Sequence, residues 1–275
     1  MMRKRLNPLQ VRLMDLNRPF EGDIDFFGGH IQRMTHKQFN QYQPETDHDN
    51  QSQIQFNNMM EGNEIPNIDV LAYYISPHVS QADWGIYFLE TGINWLTSYF
   101  ENKTNNDPNG SLFMNMPNGQ KTPQEIHRDL NNVSKKILLR HELGHYAIDY
   151  SLTRCDTINS NDYHHFRAER QIQGILLDES ICNANVGRKK LKISNRLPGE
   201  PKIGFDLDMN PFCNEFMDSQ PLAYRGYRQF MTLSYSETCV DALNSIVGVN
   251  FNTTDFNEAI RDSSAMSVPL YVVSI

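Results

Sequence analysis

Between Thr122 and His145 the sequence specifies one long helix that must carry two histidines toward the interior. Thr122-Pro123-Gln124-Glu125 offers a threonine N-cap, a proline at the first helical position and a glutamate three residues past the cap, the ingredients of a capping box. Ile126, Leu130, Val133 and Ile137 then recur in steps of three or four and form one apolar stripe. His141 and His145 continue that stripe, where an unpartnered imidazole is expensive to desolvate and a metal-bound one is not.

The same two residues belong to Arg140-His141-Glu142-Leu143-Gly144-His145, an HExxH pattern. Its spacing puts both rings one turn apart on one helix face, so both reach a single ion. Glu142, rotated off the ligand direction, stays close enough to take a proton from a water at that ion and is the expected general base. Zinc suits two nitrogen ligands plus a carboxylate with one position left open, so one Zn2+ per chain is the expected cofactor. The expected chemistry is hydrolysis of a peptide bond by a metal-activated water.

A third ligand is expected from a later helix, predicted over residues 166–190. Glu169 and Glu179 both qualify by spacing, whereas the His164-His165 pair, in a polar stretch, reads as a solvated loop. Glu179 and Asn183 are four apart and share a helix face, which would let Asn183 orient a ligand histidine. Asp149, one turn past His145, is a candidate for fixing an imidazole tautomer. The longer HExxHxxGxxH pattern is absent, because positions 148 and 151 are Ile and Ser.

Outside this region the first third, residues 1–65, is polar, with a mobile loop expected over 38–58. The run 68–75 reads as a strand or short helix, 85–100 as a buried element, and 111–116 as a short strand between two Asn-Gly turns. Residues 66–205 are expected to form the catalytic core and 206–275 a C-terminal part, all within one domain. The expected fold class is α+β and zincin-like: an active-site helix against a small mixed sheet, with a helical C-terminal part lining the cleft.

With 33 acidic against 25 basic residues the formal charge is -8, which disfavours nucleic acid as a partner. No window has the roughly 18 consecutive apolar residues of a membrane span, and no Sec-type signal is expected. The four cysteines lack CxxC spacing and read as free thiols.

HELGH followed by Ala168-Glu169-Arg170-Gln171-Ile172-Gln173-Gly174 resembles the zinc site of NleD-like effector metalloproteases (peptidase family M91) and of clostridial neurotoxin light chains. Asn183-Ala184-Asn185-Val186-Gly187-Arg188 and Arg196-Leu197-Pro198 resemble the effector branch more closely. The resemblance favours Glu169 as third ligand. It implies a virulence endopeptidase that cleaves specific host cytosolic proteins after delivery by a dedicated secretion system. Without an RxxY pair, the transition-state donors of the neurotoxin branch fall to Tyr224, Arg225 or Tyr227. The alternatives are a cytoplasmic regulatory protease that cleaves a repressor and a non-catalytic protein-binding module.

Overall fold

A computed structural model describes residues 30–43, 65–77, 80, 82–110, 121–154, 171–172, 175–194, 206–247, 252–254, 256–257 and 268–274. The expected strand at 111–116, the loop residues 44–58, Cys155, His164, His165, Glu169 and Arg196-Leu197-Pro198 lie outside the described residues.

The architecture is α+β. Four short strands, β1 (His30–Met34), β2 (Ala72–Ile75), β3 (Gly85–Leu89) and, near the C-terminus, β8 (Leu270–Ser274), form a mixed sheet in the order β1-β8-β3-β2. β8 runs parallel to β3 and antiparallel to β1, and β2 pairs antiparallel with β3. All five residues of β3 are buried, as suits an apolar strand between two neighbours. One face of the sheet contributes Ala72, Ile86, Phe88, Leu270 and Val272 to the main core. The other carries a stacked tyrosine ladder, Tyr73, Tyr87 and Tyr271, with ring centroids 5.1 and 4.5 Å apart.

The residues read as one buried element at 85–100 divide into β3 and a helix, α2 (Glu90–Asn106). The 68–75 segment is both things its sequence allowed: a 3-10 turn at Ile68–Val70 capped by Asn67, and then β2. Within the expected loop, residues 38–41 are helical instead. They belong to α1 (His36–Gln41), because Thr35 and Gln38 cap each other reciprocally and the buried Phe39 stacks on Phe88.

The long helix α3 (Pro123–Arg154) starts where its capping residues place it. Thr122 N–H donates to Glu125 at 2.7 Å and Glu125 N–H to the Thr122 hydroxyl at 3.3 Å. Ile126, Leu130, Val133 and Ile137 are buried in the main core.

Within the helix expected over 166–190, the described helical residues begin at Leu177. Before it, β4 (Gln171–Ile172) and β5 (Ile175–Leu176) pair antiparallel. The β-branched Ile172 and Ile175 favour extended backbone. The helix itself, α4 (Leu177–Gly187), is buried along its whole length. Strands β6 (Lys192–Ser194) and β7 (Asp206–Asp208) form a second small pair. The C-terminal part continues with α5 (Asn210–Ser219), a 3-10 segment (Leu222–Phe230) and α6 (Tyr235–Val247). It is therefore not purely helical, since β8 returns to the main sheet.

The contact that positions the site is α3 against α4. A Cβ on Gly144 would lie 2.7 Å from both Cα and Sγ of Cys182, so only glycine lets the two helices approach this closely. Asn185 Nδ2 donates to the Arg140 carbonyl at 2.8 Å and locks their register. Gly144→Ala is expected to separate the helices and destabilise the protein by about 1–3 kcal/mol, the usual range for overpacking. A denaturation midpoint equal to wild type would contradict this.

Candidate metal centre

Three elements converge at one end of the α3–α4 contact. α3 supplies His141 and His145, and α4 supplies Glu179 from its first turn. The 3-10 turn before β2 supplies Asp69. One ligand atom from each of these four residues lies within 4.8 Å of the others. His141 is fully buried and the Glu179 side chain nearly so, while the Asp69 side chain is 32% exposed.

Three of the four atoms form a tight triangle. His145 Nε2 is 3.3 Å from His141 Nε2, and Glu179 Oε2 is 3.3 Å from His141 Nε2 and 3.5 Å from His145 Nε2. An ion with nitrogen and oxygen ligands at about 2.0–2.2 Å in tetrahedral geometry separates its donors by roughly 3.3–3.6 Å. The triangle therefore matches the spacing of a shared ion, and this cluster could hold one. Asp69 Oδ1 stands beside it, 3.1 Å from His141 Nε2.

Hydrogen bonding fixes the orientation of His141. The Asn183 amide donates through Nδ2 to the Tyr224 carbonyl at 3.1 Å, which turns its Oδ1 toward His141 Nδ1 at 2.9 Å. Nδ1–H is thus a committed donor, and Nε2 points at two carboxylates and a second imidazole. That convergence is stable only with a cation, proton or metal, in the middle.

The titration behaviour agrees. Burial alone would lower the pKa of His141, but the carboxylates of Asp69 and Glu179 raise it well above its ordinary value. For His145 burial also acts downward, and the charge of Glu179 outweighs it and lifts the pKa to about 9. Burial would raise the pKa of Glu179, yet the two histidines hold it below the ordinary carboxylate range. Metal binding must then release protons.

A stability consequence follows for the metal-free protein. His145 has a folded-state pKa above its unfolded value of 6.5, so its contribution is complete below pH 6.5 and is lost as pH rises toward about 9. With chelator present, the thermal midpoint is expected to fall across that window. A divalent ion, which takes the place of the protons, should flatten the decline. A midpoint in chelator that is constant from pH 6.5 to 9 would refute the pairing of His145 with Glu179.

Glu142 is the unusual residue. It is fully buried, and neither carboxylate oxygen has a hydrogen-bond partner. Burial drives its pKa upward, against the opposing charges of His141 and His145. A buried carboxyl group without a hydrogen-bond partner is costly and is retained in few places without a chemical role.

The remaining residues expected from sequence divide into two groups. Asn183 does orient His141, and Tyr224 is adjacent, its hydroxyl donating to Asp69 Oδ2 at 2.8 Å. Asp149 accepts from the hydroxyls of Ser76 at 2.8 Å and Tyr74 at 3.2 Å, which tie α3 to β2 and its continuation. Arg225 donates to the Gln220 carbonyl at 2.6 Å, and the buried Tyr227 donates to Asp218 at 2.9 Å. Both pin the 3-10 segment to α5 and the residue that follows it. Of the two carboxylates expected as third ligand, Glu179 lies beside both histidines, and Glu169 is outside the described residues. Asp69 was missed by sequence reasoning; its one signal is an acid inside an otherwise apolar run directly after the capping residue Asn67.

Among the described residues no helix is long and apolar enough to cross a membrane. No protein-family model, curated protein or solved structure matches the chain.

Proposed function

We propose that the chain is a zinc-dependent endopeptidase with a zincin-like arrangement, in which His141, His145 and Glu179 hold the ion and Glu142 is the general base. Two imidazoles and a carboxylate are a donor set suited to zinc. When bound, zinc supplies Lewis-acid polarisation of the scissile carbonyl and lowers the pKa of the attacking water. Glu142 takes the proton from that water and passes it to the leaving amine. Asn183 holds His141 with Nε2 directed at the other candidate ligand atoms, and Tyr224 carries a hydroxyl donor beside the cluster.

The observation that carries this reading is Glu142, buried without a partner next to a preformed triangle of ligands. The resemblance of the HELGH region to effector proteases supports a further step: a host cytosolic protein as substrate and delivery through a secretion system. The test is a comparison of protein termini in host cells that express wild type or Glu142→Gln. New termini in wild type alone are expected; identical termini in both would contradict the proposal.

One observation favours a second reading, a structural metal centre in a protein-binding module. Asp69 brings the number of candidate protein ligands to four, the number that closes a structural shell. That reading gives Glu142 no role.

A further inference from the structure

Asp69 and Glu142 make opposite demands on the same site. With four protein ligands the shell has no room for water, and the buried Glu142 has nothing to deprotonate. With three ligands Glu142 has a partner, but Asp69 Oδ1 still stands 3.1 Å from His141 Nε2. Both features fit one molecule if Asp69 leaves the shell during function.

Resting on the hydrolase reading, we propose that Asp69 is a displaceable fourth ligand, a carboxylate latch that closes the metal centre at rest and is held shut by Tyr224. The other ligands sit on long helices and are mostly buried. Asp69 alone sits on a three-residue 3-10 turn, with its side chain about one-third exposed. Rotating it outward returns a carboxylate to water and disturbs no helix. Its restraint comes from the 3-10 segment of the C-terminal part. Tyr224 donates to Asp69 at 2.8 Å while accepting from Asn67 Nδ2 at 2.7 Å. Gln220 clasps the same turn, accepting from Ile68 N–H at 2.8 Å and donating to the Pro66 carbonyl at 3.2 Å. Tyr224 also ends the chain of bonds through Asn183 to His141, so the latch and the ligand share one support. Opening frees the Tyr224 hydroxyl beside the ion.

The test replaces zinc with Co2+ in the full chain and looks for a solvent ligand by electron–nuclear double resonance in oxygen-17 water. A titration with azide, as an external ligand, accompanies it. Wild type should show no first-shell solvent and bind azide weakly. Asp69→Ala should gain a solvent ligand and bind azide at least about tenfold more tightly, since apparent affinity scales with the fraction of open sites. Tyr224→Phe keeps every ligand and should tighten azide binding by a smaller factor. It also carries the test if Asp69→Ala does not fold.

A solvent ligand already present in wild type, with azide affinity unchanged in the variants, would overturn the latch. So would a folded Asp69→Ala protein that no longer retains cobalt, because Asp69 would then be a permanent structural ligand. Failure of the hydrolase reading looks different: wild type would bind no stoichiometric cobalt, or would keep it after both histidines are changed to alanine.

Discussion

Glu142→Gln is expected to lower hydrolysis by about 10²–10⁴-fold while leaving metal content unchanged and the fold at least as stable as wild type. The loss follows from removing the proton acceptor, whose contribution is typically of that size. The stability effect has the opposite sign to most buried substitutions. In wild type both oxygens of Glu142 are buried without a hydrogen-bond partner, and burial already pushes the group toward its neutral form. A neutral amide of the same shape relieves that penalty, and removing such functional strain commonly stabilises by roughly 0.5–2 kcal/mol. Chemical denaturation and metal analysis of the purified variant separate the two effects. If the variant cleaves substrate at the wild-type rate, Glu142 is not the base. If it is strongly destabilised, its carboxylate has a structural partner.

His141→Ala is expected to be the most damaging substitution in the chain. It removes one vertex of the ligand triangle, so stoichiometric metal binding should be lost. It also leaves Glu179, with a 7% exposed side chain, beside a cavity with one imidazole instead of two. Removing one partner of a buried charged pair costs about 3–5 kcal/mol. The Asn183 amide, oriented toward His141 by the Tyr224 carbonyl, loses its acceptor role as well. Zinc content by elemental analysis and the urea midpoint should both fall. Full zinc occupancy in a folded His141→Ala protein would remove this residue from the centre.

The helix that carries both histidines was legible from sequence because its signals are local. A capping box, a proline at the first turn and a stripe with helical period all act within a few residues, and the structure starts α3 at Pro123. The pairing of Glu179 with Asn183 on one face of a helix was legible for the same reason. Glu169 lies outside the described residues, and what brings Glu179 to the histidines is not local. A pair of two-residue strands precedes α4, so its first turn, rather than a longer helix, presents Glu179.

Asp69 was out of reach of sequence reasoning because 72 residues separate it from His141. Its position depends on Gln220 and Tyr224, more than 150 residues further along the chain. Tyr227 illustrates the reverse case. Its residue type suits chemistry, and tertiary packing gives it a bracing role through Asp218.

The most direct measurement is anomalous diffraction at the zinc edge from crystals of the zinc-loaded chain. One peak per chain is expected within about 2.0–2.2 Å of His141 Nε2, His145 Nε2 and a Glu179 oxygen, with Glu142 beside it but outside bonding distance. No peak at this position, or a peak bound by Glu169 in place of Glu179, would contradict the assignment of the centre.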